Sequence, residues 1–172
     1  MSFPAGVVLA ALLVAAQKPA RTPDIHFTPT RHNIADAMLR LANVTADDVV
    51  YDLGSGDGRI PIIAAQKYGA KGVGIELDPL LVEQSWRTAN EAEVAHRVSF
   101  KVGDLFEADL SAATVVTLYL STSIMKTLEP KLRSLKPGTR IVSHQFPMPR
   151  WAPDRKIRVD ESEILLWIVP KS

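Results

Sequence analysis

The run VVYDLGSGDGRIPIIAA, from Val49 to Ala65, constrains the fold more than any other stretch. An apolar run, Val49 to Tyr51, leads into three alternating glycines, Gly54, Gly56 and Gly58, and a second apolar run begins at Ile60. The pattern predicts a strand, a glycine turn and a helix. Glycines let backbone amides approach a ligand closely, and the first turn of a helix carries free N–H groups, so this geometry suits a nucleotide-like ligand. A dinucleotide-binding turn would place its last glycine at position 59, where Arg59 stands, and a phosphate loop would close with Gly-Lys-Ser/Thr. Neither pattern is met. Asp52, at the end of the first run, would meet the positive end of the following helix and accept hydrogen bonds from an ammonium group, whereas it would repel a pyrophosphate. The preferred ligand is therefore cationic or zwitterionic.

Around this turn the chain alternates strand-like and helical patterns. Strand-like runs fall at 48–53, 71–77, 97–102, 114–120 and 139–146, with helical patterns between most of them. They are rich in Val, Ile and Leu and nearly continuous, as expected of parallel strands covered on both faces. The fold class is α/β, a doubly wound sheet. Ile34, Ala37, Met38 and Leu41 share one face of an opening helix, with Thr30 as its expected N-cap. Pro79 marks the start of the helix LLVEQSWRTANEAE, and Pro137-Gly138 a turn before the fifth strand. Pro130 interrupts a helical pattern and is expected to kink or split it. Two final strand patterns, 156–160 and 163–169, flank a tight polar turn and form an antiparallel hairpin.

With 172 residues and 47% hydrophobic composition, the chain is sized for one domain, residues 30–172, with a sizeable core. A net charge of +1 gives no electrostatic footprint for nucleic acid, and no nucleic-acid partner is expected. There are no cysteines, and His26, His32, His96 and His144 lack metal-ligand spacing, so no metal site is expected. Residues 1–16 contain an apolar stretch, Phe3 to Ala16, with no amphipathic period. It reads as a secretory signal, with small residues Val14 to Ala16 at a cleavage site, as a short anchor that falls below the roughly 20 residues of a membrane span, or as a mistranslated or disordered leader. Lys18, Arg21 and Arg31 follow it and would hold the domain on the cytoplasmic side; a cleaved signal would instead mean secretion. Residues 17–29, with three prolines, read as a linker.

DLGSGDG resembles motif I of the class I S-adenosylmethionine-dependent methyltransferases, whose seven-strand Rossmann-like sheet ends in an antiparallel hairpin. The second strand closes on GIELD, where Glu76 matches the acid that holds the cofactor ribose in that family. GDLF follows the third strand, where Asp104 matches the acid beside the adenine amino group and Leu105 offers a backbone contact. The resemblance thus implies S-adenosyl-L-methionine as cofactor, bound by Asp52, Gly54, Ser55, Gly56, Gly58, Glu76, Asp104 and Leu105. It spans about residues 30–170. In this fold the residue ending the fourth strand faces the transferred methyl, which makes Tyr119 the candidate catalytic residue, through its hydroxyl or its ring face beside a cation. Thr28 and Thr30 either cover the cofactor's amino-acid end or serve as linker and cap. Asp57 is read as a binding or capping residue, Arg59 as a surface ion-pair partner or a substrate contact, and His144 as structural or functional at the sheet's edge. Trp86, Trp151 and Trp167 are packing residues, Trp151 being the best placed to line a substrate entrance.

The loop before the final hairpin is short, and no inserted domain closes the site, which favours a protruding side chain of a large partner over a small molecule. The apolar N-terminal segment, the TPT entry and DLGSGDGR also resemble small membrane-associated protein-lysine methyltransferases and their bacterial relatives. That resemblance implies a lysine side chain of a protein as acceptor and membrane association through residues 3–16. A small-molecule methyltransferase and a non-catalytic S-adenosylmethionine-binding module are the alternatives.

Overall fold

The computed structural model describes residues 28–171. Expectations for residues 1–16 and for the linker up to residue 27 lie outside that range. Four helices and seven strands follow in the order α1 (His32–Leu41), β1 (Val49–Leu53), α2 (Arg59–Tyr68), β2 (Lys71–Glu76), α3 (Pro79–Glu91), β3 (Val98–Val102), β4 (Val115–Leu118), α4 (Thr122–Arg133), β5 (Arg140–His144), β6 (Arg155–Val159) and β7 (Ser162–Ile168). Among the described residues no helix is long and apolar enough to cross a membrane.

One seven-stranded sheet runs β3-β2-β1-β4-β5-β7-β6. The first five strands in chain order pair in parallel, while β7 joins β5 antiparallel and carries β6 outside it. Strand order reverses between β1 and β4, so a crevice opens beyond their carboxyl ends, the usual ligand position in open α/β sheets. The anticipated α/β sheet with a closing hairpin is what forms.

The helices are shared unevenly between the faces. Ile34, Met38 and Leu41 of α1 pack with Ile60 and Ile63 of α2 on Val50, Val115, Val142 and Ile164, while Ile62 and Ala65 of α2 meet Val82 and Ala89 of α3 over Val98 and Phe100. The opposite face is covered by α4, through Ile124, Met125, Leu128 and Leu132, together with Leu105, Leu110 and Ala113 from the helix-free crossing between β3 and β4. Both faces of the central strands are thereby dry, which is why those strands read as continuous apolar runs.

Two local expectations need correction. Thr30 is not the cap of α1: Arg31 holds that position with no side-chain cap bond, and Thr30 is buried instead, its Oγ1 lying 3.4 Å from His144 Nδ1. Pro130 does not break α4, which continues to Arg133. The carbonyl left without a helical amide partner there is that of Lys126, and both residues lie on the exposed side, where the carbonyl is open to solvent.

Candidate functional site

A cavity of about 440 Å³ opens at the carboxyl ends of the parallel strands, in the volume range of small-molecule sites. Its wall is assembled from Thr28–Thr30, the glycine turn, the ends of β2 and β3, and the segment after β4.

The glycine turn is held by its own backbone: Gly54 N and Ser55 N both donate to Ile75 O, and Gly58 N donates to Ser55 O. Gly58, the N-cap of α2, has φ 77°, and a Cβ there would stand 2.6 Å from Phe100 and 2.7 Å from Ser85. Only glycine suits both the left-handed backbone and the contact of helix on strand. Ser55 is buried; its Oγ has no partner among the described residues and is turned toward Gly74, where a Cβ would come within 2.5 Å.

Asp52 is buried at the floor of the cavity and accepts a bond from Thr117 Oγ1 at 2.7 Å. Burial pushes its carboxyl up to about 7, against the Thr117 bond and helped by the nearby Glu76 and Asp57 carboxylates. A cationic group arriving beside it would restore the ionised form.

Glu76 is fixed by three amides: Gly56 N donates to Oε2 at 2.8 Å, and Leu77 N and Asp78 N donate to Oε1 at 2.7 and 3.0 Å. A carboxylate has about four acceptor sites, so about one remains, on Oε2, for a ligand hydroxyl. Asp104 Oδ1 accepts from Phe106 N at 2.9 Å, which shapes the turn after β3. Leu105 lines the cavity while its side chain enters the core.

Beyond β4, the ring of Tyr119 stacks on His144 with centroids 4.0 Å apart, and Phe146 lies 6.1 Å from it at a similar tilt. His144 and Phe146 reach the same ring because Gln145 between them has φ 73° and Phe146 N donates to His144 O at 2.9 Å, a tight three-residue turn. His144 is buried, which lowers its pKa below the ordinary histidine value, and its Nε2 lies 3.0 Å from Ser162 Oγ. Burial thus favours the neutral form of the imidazole that faces the Tyr119 ring.

Asp52, Gly54, Ser55, Glu76, Asp104, Leu105 and Tyr119 thus converge on one cavity, joined by Asp57, Arg59 and Thr28–Thr30. Gly56 and Gly58 act through the turn and through the Glu76 bond. Trp151 does not join them: it packs on Trp167, whose Nε1 donates to Trp151 O, and the Arg133 guanidinium lies 5.0 Å from its ring. Leu77, Leu81, Phe106, Ile124 and Phe146 complete the apolar wall. Leu77, Phe106 and Phe146 lie in loops whose path the pattern does not specify, while Leu81 and Ile124 lie in the first turns of α3 and α4, where helical periodicity does not tell cavity wall from core.

Comparison with known proteins gives this geometry a family. A family described as the ANTKMT methyltransferase domain matches residues 52–155. A protein-lysine N-methyltransferase of Saccharolobus islandicus is 41% identical over 144 residues, covering 83% of this chain and 89% of that protein. A Mus musculus enzyme named as a lysine N-methyltransferase of an ATP synthase subunit is 36% identical over 157 residues, and the match spans 87% of this chain but 63% of the mouse protein. Among solved structures, an RNA methyltransferase from Salinibacter ruber in complex with S-adenosyl-L-homocysteine superposes with a TM-score of 0.83 at 53% identity, covering 84% of this chain and 95% of that one. The chain belongs to the ANTKMT methyltransferase domain family, within the class I S-adenosylmethionine-dependent methyltransferases.

Proposed function

We propose that this chain is an S-adenosylmethionine-dependent protein-lysine N-methyltransferase. The observation that carries the reading is the charge of the cavity. Among the described residues its lining bears five acidic side chains, Asp52, Asp57, Glu76, Asp78 and Asp104, and a single cation, Arg59, already paired with Asp57. Such a site draws in a sulfonium cofactor and an ammonium-bearing side chain and repels a phosphate backbone. The lysine-modifying relatives from Saccharolobus and mouse support the same acceptor.

The residues fit the cofactor by chemistry. Buried Asp52 suits a cationic amino-acid end; Glu76 Oε2 suits a ribose hydroxyl; Asp104 and Leu105 suit the adenine side; and Gly54, Ser55, Gly56 and Gly58 form the turn beneath. The cofactor supplies an electrophilic methyl on sulfonium, and the protein's part is positioning an unprotonated amine in line with it. Tyr119, backed by His144 and by Phe146, would border that amine with its ring and hydroxyl. An aromatic wall desolvates the ammonium, and desolvation lowers a lysine pKa toward its reactive form.

The test is to incubate the protein with radiolabelled S-adenosylmethionine and separate soluble and membrane lysate fractions, then treat the product with protease or ribonuclease. Label released by protease and recovered as methyl-lysine supports the proposal; label released by ribonuclease assigns an RNA acceptor, as the Salinibacter name would suggest. Transfer to a metabolite panel alone would assign a small-molecule enzyme, and absence of cofactor binding a non-catalytic module. Residues 3–16 are proposed to tether the domain to the cytoplasmic face of a membrane, and flotation with vesicles, with and without those residues, tests the tether.

A further inference from the structure

Arg59 occupies the position of a dinucleotide turn's last glycine, and the chemistry proposed above makes no use of it. Each of its three nitrogens makes a hydrogen bond, which uses three of its five N–H donors. Nε and Nη2 donate to Asp57 Oδ1 and Oδ2 at 2.9 and 2.5 Å, and Nη1 donates to Thr30 O at 2.9 Å. The pair is sheltered, with side chains only 21% and 16% exposed, so water screens it less than a surface pair. Asp57 is itself part of the cavity wall, two residues before Arg59 in the glycine turn.

The residue so gripped belongs to a short crossing of the cavity. Thr28, Pro29 and Thr30 all line it, and Thr30 reaches His144, the ring stacked on Tyr119, with its hydroxyl. Both attachments are made by Thr30, its carbonyl to Arg59 at the glycine turn and its hydroxyl toward His144 at the acceptor side, so this residue ties Thr28 and Pro29 to both sides of the cavity. The fork of an arginine can hold two carboxylate oxygens and a carbonyl at once, which the compact ammonium of lysine cannot reproduce.

We propose that Asp57 and Arg59 form a clamp that fixes Thr28–Thr30 as a strap across the bound cofactor and slows its escape. Arg59 is a positioning residue in this arrangement and acts through Thr30. The proposal rests on the cofactor reading and is independent of the acceptor, so a non-lysine acceptor would leave it standing.

The test uses the full chain and S-adenosyl-L-homocysteine as the probe. Dissociation and association rates are measured by stopped flow for the wild type, Arg59→Met, Arg59→Lys, Asp57→Asn and, as a control in an exposed helical pair, Arg87→Met. Amide exchange is followed over residues 28–35. Losing a hydrogen bond to a charged donor corresponds to about a tenfold change. Arg59→Met is expected to speed dissociation by about tenfold, to leave association nearly unchanged and to accelerate exchange in the strap. Arg59→Lys should recover only part of the effect, and Arg87→Met should match the wild type. A lower melting temperature with an unchanged dissociation rate would reduce Arg59 to a structural brace and overturn the clamp. Should Arg59→Met fail to fold, Asp57→Asn, which keeps the side chain's size, must show the same faster dissociation or the proposal is lost. If the wild type does not bind the probe, the cofactor reading fails with it.

Discussion

Asp52 and Thr117 stand opposite each other in the register of β1 and β4, and the threonine hydroxyl donates to the buried carboxylate at 2.7 Å. This bond favours the ionised form of an acid otherwise pushed toward neutrality. Thr117→Val removes it at nearly constant volume. The variant is expected to raise the Asp52 pKa further and to cost about 1–3 kcal/mol of stability at pH 8, less at pH 5, measured by urea unfolding.

The sign of the pH dependence follows from the same carboxyl. Its pKa moves from 3.8 to about 7 on folding, so the folded chain holds the extra proton through that window and ligand-free stability falls as pH rises across it. Asp52→Asn removes this contribution. The difference in unfolding free energy between Asp52→Asn and wild type should therefore grow in the variant's favour from pH 4 to pH 8. His144 acts oppositely: its pKa is lowered by burial, and its share of stability is lost as pH falls below 6.5. Both proteins contain it, so it cancels in the difference. Asp52→Asn should meanwhile weaken binding of S-adenosyl-L-homocysteine, read by calorimetry at pH 8.

Glu76→Ala is expected to lower cofactor affinity by a factor on the order of 10–100, since it strips a charge-assisted acceptor from the ligand and releases the Gly56 amide as well. Glu76→Gln keeps the shape and one carbonyl oxygen and should fall between. Calorimetric affinity indistinguishable from wild type for Glu76→Ala would remove the cofactor from the proposed position.

Tyr119 offers either its hydroxyl or its ring, and two substitutions separate them. Tyr119→Phe keeps the stack on His144, whereas Tyr119→Ala removes it. If the ring face borders the ammonium, kcat should stay within about threefold in the first and drop by about tenfold or more in the second, with cofactor binding retained in both. A large loss already in Tyr119→Phe would assign the hydroxyl.

Gly58 and Gly138 distinguish backbone strain from crowding. Both have positive φ, 77° and 87°, but a Cβ at Gly58 collides with Phe100 and Ser85 while one at Gly138 meets nothing within 4 Å. Gly138→Ala should cost about 1 kcal/mol and Gly58→Ala about 3 kcal/mol, compared by chemical denaturation.

The strands were legible because both faces of the sheet are buried, which imposes apolar residues at successive positions rather than every second one. The acids were legible because Asp52, Glu76 and Asp104 sit at or beside strand ends, where a residue's place follows from the strand that precedes it. The acceptor wall was not. Phe146 reaches Tyr119 only through the positive φ of Gln145, a conformation no glutamine advertises, and it is fixed by Gln145 N donating to Glu163 O and by Gln145 Oε1 accepting from Glu163 N. Thr30 departs from its expected capping place for a similar reason: the pull of His144, 114 positions away, outweighs a local preference. Trp151 is drawn from the expected entrance by Trp167 and Arg133, contacts invisible along the chain.

The reversal of strand order between β1 and β4 divides the groove by position along the chain. Asp52, Glu76 and Asp104, proposed to grip the cofactor, lie upstream of β4, while Tyr119, His144 and Phe146, proposed to face the acceptor, lie downstream. A change of acceptor can therefore be written into the downstream half while the methyl-donor grip stays intact, so shuffling these halves between relatives is a practical route to retargeted enzymes.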